Sequence, residues 1–153
     1  MTAIRTVNGP VAIVDDVDAD RVRGYVWWAI RARNTWYAWA YPAGTLVSMH
    51  RLIRESLPGM SVDHVDGDGL NNRRSNLREA THSQQAANSR RHGDKCHSIY
   101  KGVFFQNQTG RWYARIMVRG RFYRGERMFD NEIEAARAYD ALARTHFGEY
   151  ART

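Results

Sequence analysis

One cysteine, Cys96, stands in a chain of 153 residues. A lone thiol closes no internal disulfide, and without a Cys-x-x-Cys pair no thiolate cage forms, so no structural zinc is expected. No apolar run reaches 18 residues, which excludes a membrane-spanning helix. Met1 to Val14 lacks the basic-then-apolar order of an export signal, so a cytoplasmic setting is expected. The six histidines show no close pair at metal-binding spacing ahead of residue 90. Lysine is nearly missing: Arg supplies almost all of the 23 basic side chains.

The charge that is present is one-sided. Formal net charge is +7, with a pI near 10.0, while 43% hydrophobic content is enough to fold. Arg forks match phosphate and guanine edges bidentately, so a polyanionic partner is expected. Residues 98–153 hold ten Lys/Arg against six Asp/Glu, +4 of the +7. Charge alone fits a soluble basic protein equally well. The case for function therefore rests on motifs.

Residues 1–58 carry Val11-Ala12-Ile13-Val14, an acidic run from Asp15 to Asp20, then Tyr25-Val26-Trp27-Trp28 and Trp36-Tyr37-Ala38-Trp39. This reads as a small β-rich meander with one helical turn, its tryptophans in the core.

Residues 59–92 are denser in chemistry. Met60 to His64 alternates around Val62 as a short strand does, and Gly67-Asp68-Gly69 is turn chemistry. A strand-like return is expected to end at Leu77. Thr81 can cap a helix, with Gln84 completing a capping box, and Thr81, Gln85 and Asn88 share one helical face. The pattern is strand, loop, strand, helix, with Asp63 and His64 near its start. Such a cluster suits phosphoryl transfer, in which a metal neutralises phosphate and an imidazole takes a proton from water. An isolated Asp-His pair is more often a structural hydrogen bond, and Asn/Asp clusters usually mark turns. Their ordered combination from Asp63 to Asn88 is much rarer than either part.

Residues 93–98 read as a linker, within a polar stretch from Ser89 to His97. In residues 99–153, Arg111, Tyr113, Arg115, Met117 and Arg119 alternate with Trp112, Ala114, Ile116 and Val118. Period two sets the basic residues on one face and the apolar ones on the other. Gly120 makes a turn, and Arg121 to Phe129 reads as a third strand. Asp130 or Asn131 then caps a helix whose apolar face runs from Ala135 to Phe147, with Gly148 placed to end it. Three strands backed by one helix leave the other face of the sheet open.

The order Asp63-His64, Asn76, Gln85 resembles the HNH nuclease motif, a ββα-metal site that cuts phosphodiesters. The resemblance implies His64 as general base, Asp63 as metal ligand, and Asn76 as the brace of the hairpin loop. The third position, usually His or Asn, falls on Gln85, a departure that leaves Asn88 as the other candidate ligand. His50-Arg51 matches an upstream pair of the phage-type motif, and Arg51 and Arg73 join the candidate DNA contacts. The implied cofactor is one divalent metal ion, magnesium or manganese. Tyr100-Lys101-Gly102-Val103, Gly110 to Ile116 and Glu134 to Asp140 resemble the apetala-two / ethylene-response-factor DNA-binding domain. That resemblance implies a sheet in the major groove, with Arg111, Tyr113, Arg115, Arg119, Arg121 and Tyr123 as candidate contacts. Phe104 and Gln106 stand where the plant proteins place basic residues, so the plant target does not transfer.

The expectation is an α+β chain with a β-rich unit (1–58), an HNH ββα-metal unit (59–92), a linker and a DNA-binding sheet with one helix (99–153). Its function would be metal-dependent DNA endonuclease of the homing or phage type, acting on double-stranded DNA and possible as a homodimer. If phage-encoded, it would work in the host cytoplasm or nucleoid. Two alternatives stand beside it: a DNA-binding regulator impaired through Gln85, and an RNA-binding module.

Overall fold

Short alternating runs separated by polar loops give small sheets rather than one large one. The computed structural model describes residues 1–32, 35–88 and 98–153, so the linker through residue 97, with Cys96, His92 and His97, lies outside the described residues. The chain forms two compact units, Met1–Thr81 and His82–Thr153. Helix and strand are mixed, as in an α+β protein.

In the first unit β1 (Thr2–Ile4) pairs antiparallel with β2 (Ala12–Val14). A single helical turn, α1 (Ala19–Arg23), leads to β3 (Trp28–Ala32) and β4 (Thr35–Ala40), joined in one sheet by β5 (Val47–Ser48). The short α2 (Met49–Ile53) follows, then a two-stranded hairpin of β6 (Ser61–His64) and β7 (Leu77–Ala80). Ile4, Val14, Val22, Trp27, Met49, Ile53, Val62 and Leu77 belong to one continuous core.

Two expectations change here. Only Trp27 of the N-terminal tryptophans is fully in the core, its Nε1 donating to the Val22 carbonyl at 2.8 Å. Trp28 is exposed because it points to the face opposite the buried Ala29–Ala38 pair, and Trp36, paired with Arg31 near the end of the sheet, is exposed as well. The return strand does not end at Leu77 but begins there. Residues 65–76 form a loop instead, because their Asp and Asn side chains satisfy the backbone locally and compete with strand pairing. At Gly69 a Cβ would collide with the Trp36 carbonyl and the Tyr37 ring, so this loop lies directly on β4.

The second unit holds α3 (His82–Asn88), β8 (Val103–Gln106), β9 (Arg111–Val118), β10 (Arg121–Arg124) and α4 (Glu132–Phe147). The three strands are antiparallel with β9 central. The β9–β10 turn is the two-residue Arg119-Gly120, both at positive φ (49° and 78°), which suits the right-handed twist of a hairpin. Asn131 caps α4 by accepting from the Glu134 amide at 2.8 Å, and Gly148 at φ 52° ends it. Ala114 and Ile116 of β9 meet Ala135, Tyr139, Ala143 and Phe147 of α4 in the core. Gly102, at φ 67°, lets the backbone pass against the Tyr139 ring, where any Cβ would clash. Lys101 Nζ donates to the Ala86 and Ala87 carbonyls, closing the C-terminal end of α3.

Candidate active site and nucleic-acid face

β6 delivers Asp63 and His64 side by side, and α2 brings up His50 from earlier in the chain. His64 is 4% exposed, and its Nε2 lies 3.3 Å from Asn72 Oδ1. The His50 and His64 ring centroids are 5.1 Å apart and nearly perpendicular at 82°. Tyr37 meets both rings at 5.7 Å, and Trp39 approaches His50 at 6.5 Å. His50 Nε2 lies 3.3 Å from Ser48 Oγ, while its Nδ1 is buried without a hydrogen-bond partner.

Burial dominates the protonation of this pair. It pushes His50 down to about 3, helped by the neighbouring His64 and Arg51. Burial also lowers His64, against the opposing effects of the Asn72 bond and the Asp63, Asp66 and Asp68 carboxylates. Both rings are neutral at pH 7. A neutral imidazole is a proton acceptor, which is the form a general base needs.

Asp63 lies opposite Arg78 in the hairpin register, and Arg78 Nε donates to its Oδ2 at 3.2 Å, with both side chains largely shielded. Asn76 ties together the two ends of the loop. Its Oδ1 accepts from the Asp66 amide at 3.1 Å, and its Nδ2 donates to Asp66 Oδ1 at 2.9 Å and to the Asn71 carbonyl at 2.7 Å. Asn71 Nδ2 adds a bond to Asp66 Oδ2 at 2.6 Å. Burial raises Asp66, but the bonds from Asp68, Asn71 and Asn76 outweigh it and hold the carboxylate below its usual range. Arg73 Nε donates to Asn71 Oδ1 at 2.9 Å, and Arg51 is exposed on α2.

Gln85 and Asn88 lie on α3 of the second unit, Gln85 half-buried and Asn88 buried. Among the described residues no group of three or more His, Cys, Asp or Glu could hold a metal. A ligand set of one carboxylate and one amide is not such a group.

Two residues of the first unit were not singled out by the sequence: Asn72 contacts His64, and Asp18 clamps Arg74 through a bidentate pair at 2.7 Å on both arms. Asp15 accepts from the Arg74 amide at 2.8 Å. The acidic run thus anchors the hairpin loop. The sequence shows the acidic run but not the distant arginine that it holds.

In the second unit the open sheet face carries Phe104, Tyr113, Arg115, Phe122 and Arg124. The Arg115 guanidinium sits between two rings, 4.3 Å from Phe104 and 4.5 Å from Phe122. Arg124 lies 4.2 Å over Tyr113 and donates to Gln106 Oε1 at 3.0 Å. Each exposed stack contributes about 0.5–1 kcal/mol to orienting the cation. Arg111 Nε bonds Asp130 at 2.8 Å, and Arg119 occupies the hairpin turn rather than the strand. Arg121 and Tyr123 do not share the face of Arg115. Register pairs them with Val118 and Ile116, and Tyr123 lies 4.8 Å from His146 of α4. The two-residue turn fixes that parity, so Phe122 and Arg124 take their place on the open face.

Comparison with known proteins bears on the first of these regions. No solved structure matches the chain. An uncharacterised HNH endonuclease of Acanthamoeba polyphaga mimivirus is 29% identical over 136 residues, covering 81% of this chain and 68% of the viral protein. Residues 49–87, which run from α2 through the hairpin into α3, match the family model described as HNH endonuclease, and both likenesses support a nuclease.

Proposed function

We propose that the chain is a metal-dependent HNH endonuclease that hydrolyses phosphodiester bonds of double-stranded DNA, holding its target with the open sheet face of the second unit. The observation that carries the reading is a buried, neutral His64 beside Asp63, within the segment that matches the nuclease model. The donor chemistry fits a hard cation. Asp63 offers a carboxylate, and Gln85 or Asn88 would add an amide oxygen, a pairing that rests on their spacing in the sequence. Magnesium is commonly held by one or two carboxylates, with substrate phosphate completing the shell. When bound, the ion supplies neutralisation of charge on the scissile phosphate and the leaving oxygen.

The chain's own groups do the rest. His64 takes the proton of the attacking water, aligned opposite the leaving oxygen. Arg78 keeps the Asp63 carboxylate oriented, and Asn76 keeps the loop closed around the base. Arg51 and Arg73 would meet backbone phosphates near the cut. On the sheet, Arg115 and Arg124 are pre-stacked on aromatic rings, which limits the entropy lost when they meet a nucleic acid. Arg111, Tyr113 and Arg119 complete that candidate surface, while Arg121 and Tyr123 would act only from its edge.

Nicking of supercoiled plasmid with magnesium or manganese, and its loss in EDTA, is the direct test. Cleavage that persists in EDTA would remove the metal from the mechanism. Binding without cleavage at any metal would favour a DNA-binding regulator on this scaffold, the reading that the Gln85 departure supports.

A further inference from the structure

Arg127 and Arg137 come from different elements of the second unit, yet both line one open cleft of about 740 Å³. One wall is the segment that leads into α4, and the other is the N-terminal half of that helix. Met128 and Phe129, both half-buried, give the cleft an apolar floor. Two acids also line it. Asp130 is already taken, since Arg111 Nε donates to its Oδ1 at 2.8 Å. The Glu134 carboxylate has no ion partner among the described residues, although Arg137 lies only three positions on in the same helix. Arg127 and Arg137 are exposed and likewise unpaired among the described residues. Two guanidinium groups therefore stand against one carboxylate.

The cleft adjoins the sheet that carries the open face. Phe129 and Trp112 exchange both backbone hydrogen bonds at 2.8 Å, so the chain at Phe129 runs antiparallel beside the start of β9. Arg111, the neighbour of Trp112, stands at the margin of the open face and lines the cleft as well.

We propose that this cleft binds one backbone phosphate of duplex DNA, held between Arg127 and Arg137. This rests on the reading that the second unit holds DNA, and extends it around the sheet edge to two residues that no motif singles out. A duplex seated on the open face would bring a strand past Arg111 and over this edge. Guanidinium forks match the two non-bridging oxygens of a phosphate, and an apolar floor strengthens such charge-assisted bonds. Charge selects the diester. Two guanidiniums against Glu134 leave one positive charge, which matches the single charge of a diester better than the nearly double charge of a terminal phosphate.

The test uses the full chain and a duplex of arbitrary sequence in EDTA, with binding followed by fluorescence anisotropy across salt concentrations. The double variant Arg127→Gln/Arg137→Gln should bind roughly tenfold more weakly. Its plot of log affinity against log salt should be shallower by about one, the release expected from one phosphate. Arg144→Gln, which removes a charge from the other end of α4, should leave that slope unchanged. Glu134→Gln should tighten binding a few-fold, and only where both arginines remain. In the unaltered chain labelled with 15N-arginine, the Nε–H resonances of Arg127 and Arg137, assigned from single variants, should shift on adding duplex. They should shift little with inorganic phosphate at the same ionic strength. An unchanged slope in the double variant, or an equal loss in Arg144→Gln, overturns the site and leaves binding by the open face intact. Resonance shifts with inorganic phosphate but not with duplex overturn the diester in favour of a free phosphate ligand. A shallower slope in the double variant beside an inert Arg115→Ala overturns the open-face reading instead and leaves the site standing.

Discussion

Lowering the pH from 7 to 5 forces the first unit to keep a buried imidazole neutral while the unfolded chain is free to protonate it. His50 titrates near 6.5 when unfolded and at about 3 in the fold, because burial excludes the charged ring. Between those values the unfolded state binds the extra proton, so stability falls as pH falls and is complete only above 6.5. One excluded proton is worth about 1.4 kcal/mol per pH unit, which makes roughly 2 kcal/mol at pH 5. His64 is shifted in the same direction and adds to the slope. Asp18 and Asp66 are held below 3.8, so their contributions are lost only at lower pH and leave this window to the histidines. Urea unfolding followed by circular dichroism at pH 5.0, 5.5, 6.5 and 7.5 measures the slope. His50→Gln, which keeps a polar group near Ser48 but cannot take a proton, should lose about 1.4 kcal/mol per unit of it. An unchanged slope in that variant, or flat wild-type stability across the window, would refute the argument.

Other substitutions separate the roles in the proposed reaction. His64→Ala should abolish nicking while leaving DNA affinity within a few-fold in a gel-shift titration; wild-type cutting rates would dismiss His64 as base. Asp63→Asn should raise the metal concentration needed for half-maximal nicking, and an unaltered metal dependence would place the ion elsewhere. Gln85→Ala and Asn88→Ala, assayed side by side, should show loss at one position; full activity in both would exclude an amide from α3 as ligand. Arg115→Ala should weaken duplex binding and flatten its salt dependence by about one phosphate contact, whereas Arg121→Ala, off that face, should weaken binding less. Asp18→Asn should lower stability by about 1–3 kcal/mol in urea unfolding, since it breaks a bidentate pair whose carboxylate is buried.

What the sequence revealed was set by local rules. Alternation in Arg111 to Val118 marked the central strand of the sheet, and Asn131 and Gly148 marked the ends of α4, because each signal lies within a few residues of its effect. The ordered Asp63, His64 and Asn76 marked one hairpin for the same reason. Errors arose where partners are distant or where parity matters. The loop before Leu77 looked like a strand because its apolar positions were weighed without the Asp66–Asn71–Asn76 bonds that replace a ladder. Trp28 looked like core because size suggests burial, whereas strand parity turns it away from the buried Ala29–Ala38 pair.

The least legible feature is the setting of the base itself. His64 gains its surroundings from His50, Tyr37 and Asn72, of which only Asn72 is close in sequence, and even that residue is fixed by a hydrogen bond to Ile13. Residue types that carry chemistry are visible one at a time; their protonation depends on what excludes water around them. A solvent-exposed Asp-His pair would titrate near the ordinary histidine value and be partly protonated in mild acid. Beneath Tyr37 and His50, burial instead lowers His64, at a cost in stability that grows as the pH falls. That cost and the neutrality of His64 have one origin, so substitutions that open the pocket to water should relieve the acid instability and move the acid limb of the nicking–pH profile to higher pH, because more of the ring is then protonated in mild acid.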